Sequence, residues 1–506
     1  MTDKVRDATG NCRGRSPLPV VATRHIELTG AERAAIGKLS LALANEYRHL
    51  SSLAFFGTGV KTGLGPAPAI LIGDKSEIPM LAPTGEDMLE YRIALLAGQD
   101  DLVLFAGARN PDFEAYLSGL LGLPGLNILE APPAGSKPRG PTARRCIEDP
   151  RLYAQLAERV RTRHGATLLP HISTGSIWTL AKHLHERTGE PIDVAAPPPN
   201  LSNRVNDKLW FADVAIRLLG RSAVPPKLSA FGPAALTGHV RGLARKWEKI
   251  VVKVPDSAGS AGNFPIRSAT IRDFGARRLR HHLMERLAAA AWPQTFPLLV
   301  EVWDCNVLAS PSVQIWIPHP QDGDPVIEGV FDQVLSGEEG RFIGAAPTFL
   351  EPSWDDRVCR DAMKLALLFQ HLGYFGRCSF DTVIAGDSHD DAVLHWIECN
   401  GRWGGVSLPM TFLNRLFGAD ALPAYVIVQR PELNLPPLPF HEALRRLDDQ
   451  LYRPDGPSEG VILVTPDCLE AGTGLHMIAM DETIEKALRR VDLVVERLGM
   501  QGAEHA

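Results

Sequence analysis

Residues 377–409 read RCSFDTVIAGDSHDDAVLHWIECNGRWGGVSLP. Two strand-like segments, Arg377 to Ile384 and Val393 to Asn400, flank the polar run Gly386 to Asp391. Folding the chain at the centre of that run makes an antiparallel hairpin and brings Asp381 within two residues of facing Glu398. Glu398, Asn400 and Arg402 share parity, so an extended strand projects them from one face and Ile397 and Cys399 from the other. Two carboxylates, an amide and a guanidinium then share a patch. Oxygen donors with spare coordination positions suit Mg²⁺, which is commonly held by one or two carboxylates while substrate phosphates and water complete the octahedron. An arginine beside them can neutralise charge on a phosphoryl group in transfer. Acids on an exposed hairpin edge would give similar letters. Here, however, Phe380, Trp396, Ile397 and Trp403 bracket them closely, and Gly404-Gly405 allows close backbone approach to a ligand.

Three further stretches carry related chemistry. In 250–263, IVVKVPDSAGSAGN, Lys253 ends an apolar strand and a Gly/Ser loop follows. The lysine can reach a phosphate while successive backbone N–H groups enclose the same oxygens. No GK[ST] closes this loop, so it is not a Walker A sequence. In 298–304, LLVEVWD, Glu301 near the strand end marks a possible hinge, where backbone groups of Val302 and its neighbours meet a purine edge. In 206–210, NDKLW, Lys208 opens a helix capped by Asn206 or Asp207. Each of these three has an ordinary structural reading when taken alone.

Around these motifs lie 506 residues, 45% hydrophobic and 22% charged, the profile of an ordinary protein of several domains. The net charge of -6 supplies no overall basic field for a nucleic-acid backbone. No apolar run approaches the roughly 18 residues of a membrane span, and the first twenty residues contain no signal-peptide core, so a cytoplasmic protein is expected. Cysteines at 12, 146, 305, 359, 378, 399 and 468 lack metal or disulfide spacing and read as reduced core thiols. Residues 1–24 read as a flexible segment. From 25 to 201 helices alternate with short apolar strands: a helix Gly30 to His49, strands Leu53 to Phe56 and Ala69 to Ile72, a helix Gly85 to Leu96, a strand Leu102 to Phe105 and a helix Pro111 to Leu121. That succession predicts a parallel sheet flanked by helices. The stretch Ala131 to Arg145 reads as a loop, and Ala196 to Asn200, APPPN, as a stiff boundary. Residues 202–425 form an α+β block, and 426–506, after the proline-rich connector Arg430 to Phe440, a small C-terminal subdomain.

In this order, NDK, VVKVPDSAGSAGN, VEVW, SFD and IECNGRWGG resemble the ATP-grasp superfamily. The resemblance covers roughly residues 202–415, and what precedes looks like the Rossmann-like pre-ATP-grasp domain of that superfamily. The layout looks most like the bacterial peptide ligases of the pheganomycin-biosynthetic type. The resemblance implies that Lys208 and Lys253 contact ATP, and that Ser257 to Gly262, with Ser257, Gly259, Ser260 and Gly262, forms a flap closing over the phosphates. It places Glu301, Val302 and Asp304 at the adenine and ribose. Asp381, Glu398 and Asn400 match ligands of Mg²⁺, two ions being expected with Mn²⁺ as a substitute, and Arg402 matches the arginine beside the transferred phosphate. Lys253 and Arg402 are the expected catalytic cations. One departure is Asp381, where many relatives have Glu.

The implied activity is an ATP-dependent carboxylate-amine ligase. A carboxylate attacks the γ-phosphate of ATP, and an amine then captures the acyl phosphate, joining amino acids or short peptides in specialised metabolism. The partners are small molecules, neither nucleic acid nor membrane is involved, and a homodimer is left open. Two other readings compete. A catalytically silent ATP-binding scaffold would carry the same fold. A dinucleotide-dependent oxidoreductase rests on the glycines of 51–65, SSLAFFGTGVKTGLG, whose spacing is one residue too long and which lead into another strand-like stretch. For 170–182, PHISTGSIWTLAK, the sequence assigns no contact.

Overall fold

The computed structural model describes residues 26–81, 90–131, 140–348, 350–418, 421–430, 433 and 436–499. The expected flexible segment 1–24 lies outside them, as do most of the 131–145 loop, the start of the expected helix at 85 and part of the proline-rich connector.

Three sheets organise the described residues. The first is six-stranded, built from β1 (Val60–Thr62), β2 (Ala69–Ile72), β3 (Leu102–Phe105), β4 (Ile128–Glu130), β5 (Ala166–Pro170) and β6 (Ile192–Val194) in the order β1-β6-β5-β2-β3-β4. Every pairing in it is parallel, and β2, β3, β5 and β6 are buried throughout; β2 and β3 are the unbroken apolar runs expected where helices cover both faces, while β5 buries Thr167 and β6 buries Asp193. The helix Pro111–Leu121 shows how local chemistry sets an element: Asn110 accepts the Phe113 N–H, Pro111 opens the first turn, and Gly122 at φ 65° closes the last.

The second sheet has the order β7-β10-β8-β9, from β7 (Lys227–Ala230), β8 (Lys249–Lys253), β9 (Asn263–Arg267) and β10 (Leu298–Val302). Helices Pro233–Ala244 and Ala276–Ala289 cover it and share its apolar core. The third is nine-stranded: β11 (Val307–Ala309), β12 (Pro311–Ile317), β13 (Val326–Ser336), β14 (Arg341–Pro347), β15 (Gly376–Ala385), β16 (Val393–Asn400), β17 (Ala424–Arg430), β18 (Gly460–Leu463) and β19 (Leu475–Asp481). All its pairings are antiparallel. The helix Pro352–His371 packs on β12 through a face that buries Val358, Leu365 and Phe369.

Four sequence expectations differ from the structure. Leu53 to Phe56 is not a strand: Ala54–Phe56 is one 3₁₀ turn, too short to extend between Leu53 and the positive-φ Gly57. Thr142–Glu148 is helical, so the loop expected to Arg145 ends earlier. The C-terminal strands extend the nine-stranded sheet through β14–β17, β17–β19 and β18–β19 pairing, and the helix Phe440–Leu447 sets Phe440 against Phe113 and Tyr116 of the N-terminal domain. Cys305 is exposed, whereas Cys146, Cys359, Cys378, Cys399 and Cys468 are buried free thiols; Cys12 is not among the described residues. No described helix is long and apolar enough to cross a membrane.

Candidate functional site

The hairpin β15–β16 sets Asp381 directly opposite Glu398, with Ser379 opposite Asn400. Between Asp381 and Thr382 the register shifts, so Thr382 faces Trp396 and Ile397 is the extra residue of a bulge. Strict alternation would turn Ile397 away from Glu398; with the bulge, both line the same cavity. Cys399 does face the other way, into the core under the sheet.

That cavity, of about 350 Å³, lies between the second and third sheets. One wall is Val251 and Lys253 of β8 with Glu301 to Asp304 at the end of β10; the other is Ser312, Asp381, Ile397, Glu398 and Asn400 of the third sheet. Lys253 Nζ and Glu301 Oε1 are 2.9 Å apart and nearly fully buried. Lys208, at the first turn of the helix Lys208–Leu219, reaches Glu398 Oε2 at 3.1 Å and donates to the carbonyl of Ser257 at 2.8 Å. Asp207 caps that helix, accepting from Leu209 N and Trp210 N. Asn206 instead clamps the end of the hairpin: its Oδ1 accepts the Gly401 N–H at 3.0 Å and an N–H of Arg402.

Arg402 also donates to Asn400 Oδ1 at 2.5 Å, while Asn400 Nδ2 donates to Asp381 Oδ2 at 2.8 Å. Ser312 Oγ donates to Asp381 Oδ1 at 2.6 Å. Burial, and then the charge of Glu398, pushes the Asp381 carboxyl up to about 7, against its hydrogen bonds to Ser312 and Gln333. Burial would raise Glu398 as well, but the charge and hydrogen bond of Lys208, with Arg402 and Lys253, hold it below the usual carboxylate range. The two acids thus differ because only one of them has an ammonium partner.

No described cluster joins three or more His, Cys, Asp or Glu side chains around one point. A carboxylate pair with a neighbouring amide is nonetheless the donor set Mg²⁺ accepts when phosphate oxygens supply the rest. Asn400 turns its amide nitrogen to the acids here, and a half-turn about its last side-chain bond would present Oδ1 to the same place. The residues present therefore fit a divalent ion.

The segment Pro255 to Gly262 bridges β8 and β9 over this cavity. Gly259 at φ 61° and Ser260 at φ 63° form consecutive left-handed positions. Ser260 Oγ donates to Gly340 O at 3.0 Å and Ala258 N to Met80 O at 2.8 Å, so the loop is fastened both to the third sheet and to the N-terminal domain. A methyl on Gly262 would lie 2.3 Å from Ser257 Oγ, which is why glycine stands there.

A family model described as the pre-ATP-grasp domain matches residues 90–185. Among solved structures, the biotin carboxylase–beta-gamma-ATP complex from Campylobacter jejuni aligns with a TM-score of 0.53 at 14% identity, covering 85% of this chain and 91% of that one. The biotin carboxylase domain dimer of Hydrogenobacter thermophilus 2-oxoglutarate carboxylase, in complex with MgADP, ADP and bicarbonate, aligns with a TM-score of 0.52 at 13% identity, covering 85% and 90%. The chain has the ATP-grasp fold. No curated protein matches its sequence.

Within the ATP-grasp fold, Lys253, Gly259, Ser260, Glu301, Val302, Asp304, Asp381, Glu398, Asn400 and Arg402 all line one cavity. Lys208, Ser257 and Gly262 sit just behind its surface, joined by the Lys208–Ser257 bonds and the Gly262–Ser257 contact. The N–H groups of Val302 and Trp303 are already given to Pro226 O and Lys249 O, so neither is available to a ligand at this strand end. Asp304 Oδ2 holds His395 Nδ1 at 2.9 Å. The sequence reading missed Ser312 and Gln314, although the alternation in PSVQIWI places both on one face of β12. It also missed Asn206 as a clamp, and Lys75, Arg92 and His171, which bring the N-terminal domain into the cavity. Among the glycines of 51–65, Gly59 and Gly65 serve packing, since a methyl on Gly59 would strike the His185 ring and one on Gly65 would strike Asp193, while Gly57 and Gly63 hold positive φ; β2, not a helix, follows them.

Proposed function

We propose that this chain is an ATP-dependent carboxylate-amine ligase, joining amino acids or short peptides. The observation that carries the reading is the register pair Asp381–Glu398, set with Asn400 and Arg402 across one cavity from Lys253 and Glu301. In this reading the nucleotide lies between the second and third sheets. Lys253 and Lys208 meet its phosphates, Glu301 and Asp304 its nucleoside end, and residues 257–262 cover it and exclude water. Asp381, Glu398 and Asn400 would hold Mg²⁺, two ions in the fullest form and Mn²⁺ as a substitute, which when bound neutralises phosphate charge and aligns the γ-phosphoryl group.

A substrate carboxylate oxygen bonds to the γ-phosphorus as the bond to ADP breaks. The amine then attacks the acyl carbon, inorganic phosphate leaves with the electron pair of the C–O bond, and the nitrogen loses a proton to solvent. Arg402, held on two sides by Asn206 and Asn400, stays in place beside the transferring group. No nucleophilic side chain is required.

The test is incubation with ATP, Mg²⁺ and a panel of amino acids. ADP and phosphate that appear only with an acceptable pair support the reading. AMP contradicts the acyl-phosphate route, and nucleotide binding with no turnover on any pair favours the silent scaffold.

A further inference from the structure

Beyond the carboxylate pair, the cavity has a second charged wall supplied by the N-terminal domain. Lys75 and Arg92 line it and are 6% and 4% exposed. The Lys75 ammonium makes no hydrogen bond or ion pair among the described residues. Arg92 gives one N–H to Gln429 Oε1 at 3.3 Å and another to Gly404 O at 3.4 Å, both long, and its Nε has no acceptor among the described residues. The carboxylate facing Lys75 is Glu90, whose Oε2 already accepts the Ala106 N–H at 3.0 Å. His171 and His476 stand beside the two cations, and both are pushed well down by burial and then by those charges, so neither offers compensation. Burial, and then the Arg92 charge, also pushes the Lys75 ammonium well down, a cost that an anion at this place removes.

This wall is separate from the Arg402 position. Arg402 is engaged by Asn206 and Asn400 at the end of β16, whereas Arg92 lies over the backbone of Gly404 and Gly405. A methyl on Gly405 would sit 3.7 Å from Arg92 Nη2 and 3.2 Å from the Phe342 ring, so glycine keeps that approach open. Trp403 and Phe342 supply apolar surface along the same cavity.

We propose that the carboxylate substrate carries a second anionic group, a carboxylate or a phosphate, which Lys75 and Arg92 hold while the reacting carboxylate lies beside Arg402 and Asn400. The site for the second anion stands on its own geometry; its role toward a reacting carboxylate rests on the ligase reading. The substrate class is then an acid with two anionic ends, such as a dicarboxylic or phosphorylated amino acid.

The experiment measures dissociation constants on the full chain, with and without MgADP, for L-glutamate, succinate and O-phospho-L-serine against L-glutamine, butyrate and L-serine. Each measurement is repeated for Lys75→Met and Arg92→Met. Wild type is expected to prefer at least one dianion over its neutral-ended counterpart by tenfold or more, and which one separates carboxylate from phosphate. Both variants should lose at least tenfold of that affinity and keep MgADP affinity within about twofold. Lys75→Met should melt, without ligand, no lower than wild type, because it removes a buried unpaired amine. Equal binding of paired ligands by wild type, or dianion affinity unchanged in both variants, overturns the proposal. Failure of MgADP to bind wild type would sink the ligase reading, while the dianion comparison without nucleotide still decides this one. If Lys75→Met does not fold, Lys75→Gln and Arg92→Met decide in its place.

Discussion

The buried pair Lys253–Glu301 separates what stabilises the second sheet from what serves a ligand. Val251 pairs with Glu301 and Lys253 with Leu299 across β8 and β10, so the two charges meet diagonally, 2.9 Å apart and about 5% exposed. At that distance the Coulomb attraction is about 6 kcal/mol for an effective dielectric of about 20. Most of it is offset by desolvation, so removing one partner should cost about 3–5 kcal/mol, whereas replacing both with apolar residues should be close to neutral. Global unfolding of a chain with several sheets is a poor gauge of this, so the opening of β8 and β10 is read locally by amide hydrogen exchange. Lys253→Met and Glu301→Gln should each speed exchange there about a hundredfold or more, since 1.36 kcal/mol is a factor of ten. The double variant Lys253→Met/Glu301→Leu should return to within about tenfold of wild type and yet lose MgADP protection of the same amides. Single variants exchanging within about threefold of wild type would refute the energetic reasoning. A double variant that still binds MgADP as wild type does would refute the functional one.

Four other outcomes are expected. Glu398→Gln should lower ADP formation at least about a hundredfold with the circular-dichroism spectrum unchanged, since shape is kept and a charge at the acid pair is lost, although Lys208 loses its carboxylate partner and some stability goes with it; undiminished turnover would remove Glu398 from the site. Asn206→Ala strips the acceptor from the buried Gly401 N–H and from Arg402, a loss of about 2–3 kcal/mol read as faster hydrogen exchange of the Gly401 amide together with a fall in turnover, and a variant that exchanges and turns over as wild type does would contradict the clamp. Gly262→Ala forces Ser257 from its place against Lys208 and should raise the KM for ATP, an effect that initial-rate kinetics would show absent if the loop is only a cover. Glu32 is held down to about 2, first by the Thr29 backbone N–H and also by Arg360; its contribution is present above the ordinary carboxylate range and lost as pH falls toward 2. The melting-temperature gap between wild type and Glu32→Gln should therefore close between about pH 4.5 and 2, and a constant gap would show that the charge is irrelevant.

The hairpin carrying the acids was legible because its signals are local: two alternating apolar runs around a polar turn, with Asp381 and Glu398 at matching distance from the bend. The bulge at Ile397 has no such signature, since one extra residue changes neither composition nor strand propensity, and strict alternation therefore assigned Ile397 to the wrong face. Strands of three residues such as β1, β4 and β6 fall below any periodicity window and exist because neighbouring strands complete their hydrogen bonds. The C-terminal segment looked like a subdomain because its connector is proline-rich. Its strands join the third sheet through β14–β17 pairing, a contact between residues about eighty apart that no local pattern encodes. Lys75, Arg92 and His171 were invisible for the same reason: each is unremarkable in its own stretch and acquires meaning only where β5 and the segments after β2 meet Trp403, whose N–H is held by the His171 carbonyl at 2.9 Å.

The charges around the cavity have one property in common. Lys208 is held by Glu398 and Lys253 by Glu301, so the cations and acids assigned to nucleotide and metal neutralise one another in this state. A triphosphate entering without a divalent ion would take the lysines and leave Glu398 facing the raised carboxyl of Asp381 without its ammonium. An ion entering without the triphosphate would have to displace Lys208 from Glu398 and leave a buried ammonium with only Ser257 for company. At the Lys208–Glu398 pair each ligand alone strands a buried charge, and the two together strand none. On the proposed function, joint binding of nucleotide and metal is therefore expected, and the loop tied down at Ser260 and Ala258 would cover them as a unit. Lys75 stands outside this reciprocity: the carboxylate facing it, Glu90, already accepts the Ala106 N–H, and on the proposal above a second anion arrives with the substrate.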